Sequence, residues 1–589
     1  MPSSPKDILT MEKKDAANEL NNAGTVEDAS SPAGQPADDR DRIIEEQMKE
    51  ISALKEQVAY LINKLYGKKS EKSSDFPDQM KLSDFCDAFN EAELTQDPDA
   101  QEEVEFPDEE TGRKKRKAKV INNEKYAGLP EKKEYLDIPE KDRVCPKCGT
   151  ELEYIGEEYV RTELHFVPAR MYKVQVYSKN YGCPKCKLGE VYDPPTIVKG
   201  RDGRCHALHG MISASTLAWI LYQKYFNSMP LERQRRDWED LYGIKVSSAT
   251  FANWVIWNTE ELLVPFFEHL HKEYLKREFK MADETPVQVL HEPGKKPESE
   301  SFMWVYRTGE DGLPPIVLYK YEESRGGYHA ADFLENCGGY LMCDGFSGYN
   351  ALKNVKRCSC WAHVRRYLLE AIPKGKKDDY SQPAVQGLLY IEKLFLLERQ
   401  IHTKHQNDFE SIRKARLEKE RPVLDALWSW LDKQDPVKGT RMFKAVIYMR
   451  NRKQYLETYL EDGRCSFSNN LTEQKCKSFV IGGKNWLFST SVKGADASSV
   501  VYSIAETART NGVNVYYYFR YLLDKISKAK KEEMDKLLAA NPAVAKKELA
   551  KQVVIPEEIL ESLVPWNQSV RTAVENLYIA DLDDRSGLS

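Results

Sequence analysis

A chain of 589 residues is too long for one hydrophobic core, so three or four structural units are expected. With 41% hydrophobic residues, a mean hydropathy of −0.63 and no apolar run near the roughly 20 residues of a membrane span, no membrane partner is expected. The net charge of −6 argues against a nucleic-acid partner only as an average: Glu91–Glu110 holds ten acidic residues and no Lys or Arg, and the rest of the chain carries +4.

The N-terminus, MPSSPKDILTMEKKDAANEL, lacks the basic and apolar regions of a secretory signal, so a cytoplasmic, nucleoid-associated location is expected. Residues 1–40 are rich in Ser, Pro, Ala, Asn and Asp and read as disordered. Over 41–66 a heptad follows, with Ile44, Ile51, Val58 and Leu65 at one core position and Leu54 and Leu61 at the other; Gln47 is the exception. Mostly β-branched residues at the first position and Leu at the second favour a parallel coiled-coil dimer, the alternative being an amphipathic helix packed on its own chain. Residues 67–120 form a charged linker. It ends in RKKRKAK, where Arg113, Lys114, Lys115 and Arg116 are candidate DNA-phosphate contacts, set against a purely solvated run.

Residues 121–200 alternate as strands do and frame two CPKC pairs. Cys145, Cys148, Cys183 and Cys186 form two thiolate clasps for one tetrahedral zinc. The 34 residues between Cys148 and Cys183 accommodate a β-hairpin. Four sulfur ligands leave no position for water, so the zinc is structural; two identical pairs argue against a redox role. A third cysteine motif, Cys358-Ser-Cys360-Trp-Ala-His363, has ligand-like spacing but no second pair nearby, and reads as buried cysteines at a strand end.

Residues 201–262 predict three helices: MISASTLAWILYQKYF, PLERQRRDWEDLYG and SSATFANWVIWNTEELL. Gly243 separates the last two, and Ser247 or Ser248 is the N-cap of the third. Their size suits a helix-turn-helix with Ser248–Trp257 entering a major groove, or else a structural helical linker. In that segment Phe251, Trp254, Val255 and Trp257 are expected to face a core, leaving Ser248, Thr250, Asn253 and Lys245 for DNA.

From 263 to 525 a catalytic domain is expected. Strand-like FKMAD, TPVQVL, SFMWVYRT and PIVLYKY precede helical HAADFLENC and the buried strand YLMCD, a β-β-β-α-β order. Asp283 and Asp344 are expected to close two of these strands. Paired carboxylates there suit hard divalent cations that also bind phosphates, whereas each alone could be a loop-capping Asp. This order, with acids on the first and fourth strands, is the ribonuclease-H-like arrangement. A helical insertion spans about 375–462, and Glu473 in SFSNNLTEQKCK is the candidate third carboxylate. A capping box with Asn470 as N-cap also accounts for that Glu. Lys475, Lys477 and Lys484, with Trp486 and Phe488, surround it as a DNA end would require. Residues 526–589 read as a Lys-rich tail.

At this point the chain resembles the transposases of the insertion-sequence-66 family. The matching motifs are LYGKKSEK, the two CPKC pairs, KYFNSMPLERQ, ADETP, MCDGFSGYN, CWAHVRR, SNNLTEQ, GGKNWLFS, ETARTNGVNVYYYFRYLL and VPWN. The resemblance implies a DDE transposase whose acids are Asp283, Asp344 and Glu473, with two divalent ions, magnesium or manganese, and one structural zinc. It also implies element ends and target DNA as partners, a homodimer or higher oligomer through the coiled coil, and possible accessory proteins. The reaction would be hydrolysis to free a 3′-hydroxyl, followed by attack of that hydroxyl on target DNA. Like charges crowded together would raise a carboxylate pKa. The chain departs from the family at Gln474, Lys477 and Ser478, and at Gly482-Gly483-Lys484-Asn485, where Lys replaces Arg and offers a point charge rather than a fork. The alternatives are a non-catalytic zinc-dependent DNA-binding protein on a vestigial nuclease fold, and a nuclease that cuts without joining.

Overall fold

The computed structural model describes residues 212–542 and 544–586, with Met171, Asn180–Gly182, Ile197–Lys199 and Leu208. The expected disordered segment, the coiled coil, the basic run Arg113–Lys119 and the four zinc-candidate cysteines lie outside the described residues. Strands β1 (Asn180–Gly182) and β2 (Ile197–Lys199), within the cysteine-bearing segment, pair antiparallel. Apart from the first three residues of the helix that begins at Arg441, the elements below belong to one compact unit, Leu94–Gln434 with Lys444–Ser589. The described part of the second unit is Asp435–Phe443, where Thr440 Oγ1 accepts from the Phe443 N–H at 3.1 Å.

Three helices come first. Helix α1 (Ala214–Tyr225) starts where Ser213 accepts from the Thr216 N–H, an N-cap that satisfies an otherwise orphaned donor. Helix α2 (Leu231–Tyr242) stops at Gly243, whose φ of 67° is a left-handed conformation that glycine takes at little cost. Ser247, the nearer of the two candidate caps, starts α3 (Ser248–Asn258). Phe251, Val255 and Asn258 fall on one stripe of α3 and are buried, but Trp257 lies off it and is 47% exposed, contrary to its expected core position. A π-helical turn, Thr259–Leu263, leads into α4 (Val264–Leu275).

The sheet follows, in the order β5-β4-β3-β6-β7 with β8 on β3. Strands β3 (Phe279–His291), β4 (Glu300–Thr308) and β5 (Val317–Glu322) form an antiparallel meander. FKMAD and TPVQVL are thus one strand of 13 residues, because the ladder to β4 runs unbroken from Lys280↔Thr308 to Gln288↔Glu300. Helix α5 (Gly327–Phe333) crosses over to β6 (Tyr340–Cys343), parallel to β3, and β7 (Lys356–Ser359) extends the sheet in parallel. On β4 the run Trp304–Thr308 is wholly buried, as in a strand covered on both faces.

Helices fill the interval between β7 and the Glu473 segment: α6 (Trp361–Ala371), α7 (Pro383–His405), α8 (Phe409–Lys419), α9 (Arg421–Asp432) and α10 (Arg441–Glu457). Arg416 on α8 is fully buried and donates to Glu398 on α7 and to the carbonyls of Tyr459, Asp462 and Cys465. One guanidinium thereby ties the helical block to the segment leading into α11 (Asn470–Trp486). After α11 comes β8 (Ser489–Ser491), parallel to the far end of β3, then α12 (Val492–Thr510). Helix α12 closes the β5 edge: the Tyr319 and Val317 N–H groups donate to Ser503 Oγ (2.7 Å) and Thr507 Oγ1 (3.0 Å). An edge that would otherwise recruit another chain is satisfied internally.

The expected C-terminal tail is folded. Helix α13 (Val515–Ala540) runs through residue 526, and α14 (Lys546–Ala550), α15 (Glu557–Ser562) and α16 (Gln568–Ser586) follow. Ile555, Leu560, Leu563, Val564, Val570 and Val574 join the core formed by α1–α4 and the sheet. Among the described residues no helix is long and apolar enough to cross a membrane.

Candidate active site

Asp283 sits within β3, not at its end, because β4 pairing continues past it. The parallel pairing with β6 stops at Met281↔Met342, so Asp283 and Asp344 each lie two residues beyond the last pair, where the two strands part. Backbone N–H groups orient one oxygen of each: Glu284 N–H to Asp283 at 3.0 Å, and Phe346 N–H to Asp344 at 2.8 Å. The Asp344 loop is gripped from α10, where Arg452 donates to the Gly345 carbonyl. A Cβ at position 345 would come within 2.7 Å of Tyr448, which explains the glycine.

The expected capping box at Glu473 does not form. Asn469, not Asn470, is the N-cap, and its side chain donates to the Ala282 carbonyl at 3.0 Å instead of capping the helix. Asn469 N–H donates to Cys360 Sγ at 3.1 Å, and Trp361 N–H to the Phe467 carbonyl at 3.2 Å. The start of α11 is thus fastened to β3 next to Asp283 and to the β7–α6 junction, and Glu473 is free of the cap that could have explained it.

The electrostatics confirm that these carboxylates are neighbours. Burial, then the charges of Glu284, Glu473 and Asp344, hold the Asp283 carboxyl well above its usual range. The Cys476 thiol hydrogen-bonds to Asp283. Glu284, with 1% of its side chain exposed, is also raised by burial and by Asp344. It accepts from Tyr349 Oη at 2.8 Å and from Arg325 at 2.7 Å. Arg325 lies over the Phe346 ring at 4.2 Å and reaches to 3.9 Å from Asp344.

His363 and Arg366 on α6 face Glu473 at 3.9 and 3.4 Å. Glu473 Oε1 and His363 Nδ1 are both buried without a hydrogen-bond partner. Among the described residues, Cys360, His363 and Glu473 bring ligand-type atoms within 4.8 Å of one another. Burial pushes the Cys360 thiol up to about 12, which keeps it protonated while no metal is bound. Burial also lowers the His363 imidazole, favouring its neutral form. What remains is an oxygen-rich group with excess negative charge and an orphaned carboxylate oxygen, which fits hard divalent cations.

The structure brings Asp283, Asp344 and Glu473 together, whereas the three lysines separate. Lys475 turns inward to Glu506 (2.8 Å) and Thr510 (2.9 Å), so it is not offered to DNA; Lys477 and Lys484 are exposed. Glu284, Arg325, His363, Arg366 and Asn469 were not singled out as site residues by sequence reasoning. The available signals were the acid next to Asp283 and the His and Arg of CWAHVRR.

Residues 209–497 match the family model described as Transposase IS66 family, and residues 142–187 the zinc-finger binding domain of transposase IS66. Residues 53–131 match a model described as Transposase C of IS166 homeodomain. Three segments of the chain thus match models of IS66-type transposase domains, and such domains imply DNA as a partner. Two similar proteins of Sinorhizobium fredii are described as uncharacterized proteins y4hP and y4qI. They are 26% identical to this chain over 427 residues (68% of this chain, 74% of the relative) and 26% over 469 residues (75% and 76%).

Proposed function

We propose that this chain is an active DDE transposase that binds the ends of an insertion sequence, cleaves a strand there and joins the freed 3′-hydroxyl to target DNA. Asp283, Asp344 and Glu473 are its catalytic acids. The sheet, with its 3-2-1 meander followed by two parallel strands, is read as a ribonuclease-H-like core carrying the α7–α10 block as an insertion. The observation that carries the proposal is the convergence of three carboxylates at the point where β3 and β6 part, with the Asp283 carboxyl raised by burial and by its acidic neighbours and Glu473 Oε1 left without a hydrogen-bond partner.

Asp283, Asp344 and Glu473 would hold the divalent ions, which when bound supply activation of the attacking oxygen and stabilisation of the leaving oxygen. The protein's own residues position the rest. Arg325 and Arg366 are about half exposed at the rim (45% and 41%), beside Asp344 and Glu473, where a guanidinium can fork onto a DNA phosphate. Glu284, held by Tyr349 and Arg325, keeps Arg325 in place. The fixed start of α11 holds Glu473 in position before substrate arrives. Outside the described residues, Cys145, Cys148, Cys183 and Cys186 would hold one structural zinc, Arg113–Arg116 would contact phosphate, and the heptad would form the dimer. Residues 201–262 are read as a DNA-binding region and 263–525 as the catalytic domain.

The test is a duplex carrying the inverted repeats that flank the chain's own gene, incubated with protein and magnesium. Nicked ends with a 3′-hydroxyl and joined target products are expected. Binding without cutting would favour the non-catalytic reading, and cutting without joining a nuclease.

A further inference from the structure

At the far end of the helix that begins beside Glu473, the chain makes a three-residue turn: the Phe488 N–H donates to the Trp486 carbonyl at 2.9 Å. Leu487, at its centre, has φ 68° and ψ −48°. This is the rare, strained hand of a γ-turn, and Leu has no intrinsic reason to adopt it. Its side chain is 71% exposed and that of Phe488 is 40% exposed. The anchors on either side are firm. Trp486 folds back over Gly482, where a Cβ would clash with its ring at 2.3 Å, and Lys224 lies over Trp486 at 5.5 Å. On the other side Ser489 pairs with Val289 of β3. A two-residue apolar tip is therefore held out of the surface by rigid structure.

Its surroundings are basic. Lys477 and Lys484 are exposed on the turns of α11 leading to the tip, and Arg233 reaches Asn485 at 3.5 Å. Positions 473, 477 and 484 are spaced 4 and 11 residues from the first, so they share one face of the helix. Two apolar residues are too few for a protein interface, which needs some 20 residues a side. An apolar wedge flanked by cations instead suits a kinked or unstacked duplex, where the side chain replaces a base-stacking neighbour and the lysines take the phosphates.

We propose that Leu487, backed by Phe488, inserts between bases of the element-end DNA, while Lys477 and Lys484 track the backbone between this wedge and the cleaved phosphate. The proposal rests on the transposase reading above. Leu487, the residue after the end of α11, is 14 residues beyond Glu473. That is about 21 Å along the helix axis, which places the disturbed step within roughly six base pairs of the cleaved phosphate.

The test replaces successive adenines of the end duplex by 2-aminopurine, whose fluorescence rises when it is unstacked. The wild type is expected to bind and to raise fluorescence at one position about threefold, with Leu487→Gly losing that rise. Gly takes a positive φ without strain, so the variant folds at least as well as the wild type. It should lose cleavage about tenfold, with end binding weakened by the lost contact but still measurable. Wild-type binding and cutting with no bright position, or an equal rise in Leu487→Gly, overturns the wedge and leaves the transposase reading intact. A wild type that neither binds nor cuts the end overturns both.

Discussion

Asp283, within β3, stands level with Asp344, one residue past the end of β6: the register that pairs Phe279 with Tyr340 and Met281 with Met342, carried on two residues, aligns them. The Asp344 charge helps to raise the Asp283 carboxyl, so the two repel each other unless a cation lies between them. Asp283→Asn is therefore expected to stabilise the metal-free protein by about 1 kcal/mol while removing function, as strained sites do. Thermal unfolding in EDTA should show the rise. Added magnesium should stabilise the wild type more than the variant.

Arg416 is fully buried and Glu398 nearly so. Replacing Arg416 with Met leaves the buried Glu398 carboxylate with only His402 as a basic neighbour and loosens the segment that delivers Glu473, at an expected cost of about 3–5 kcal/mol. Denaturant unfolding measures it. The double variant Arg416→Met with Glu398→Leu should recover only part of the loss, since the buried carboxylate goes but the carbonyls of Tyr459, Asp462 and Cys465 still lose their donor.

Burial and the nearby charge of Glu398 push the Glu420 carboxyl from 4.5 up to about 9. Across that range the native protein holds a proton that the unfolded chain has released. The contribution is thus complete below pH 4.5 and is lost as pH rises towards 9. Glu420→Gln keeps an acceptor for Tyr459 Oη, now at 2.7 Å from Glu420, and should flatten the decline of stability over this window. Unfolding free energies at several pH values check the slope.

Local signals in the sequence carried much of the fold. Gly243 and Ser247 marked a helix end and a helix start through backbone chemistry that depends on few neighbours. The strand order around Asp283 and Asp344 followed from apolar runs. What depended on distant partners was not legible. Asn469 looked like a flank to a cap until Ala282 claimed its side chain, and Lys475 looked solvent-facing until Glu506 turned it inward. His363 stood in a motif weighed for its cysteines, and only the fold placed it against Glu473. The C-terminal segment was read as a tail from its lysines up to Lys551, although Leu560, Leu563 and Val564, then Val570, Val574 and Leu577, keep helical spacing beyond them.

The two CPKC pairs predict one tightly held zinc. Cys183→Ser should lose it, with metal analysis falling from one zinc per chain to almost none. Because structural zinc contributes folding energy, the module should become sensitive to proteolysis. Magnesium-dependent cutting of a short, pre-nicked end should survive better than binding of the intact end if the zinc module serves recognition.

The most direct measurement compares the wild type with Asp344→Asn on labelled element-end duplex, scoring binding by gel shift and nicking with and without magnesium. The account predicts magnesium-dependent nicking by the wild type, a drop of about a thousandfold or more in Asp344→Asn, and end binding within about twofold of wild type. An Asp344→Asn protein that nicks at the wild-type rate would contradict it.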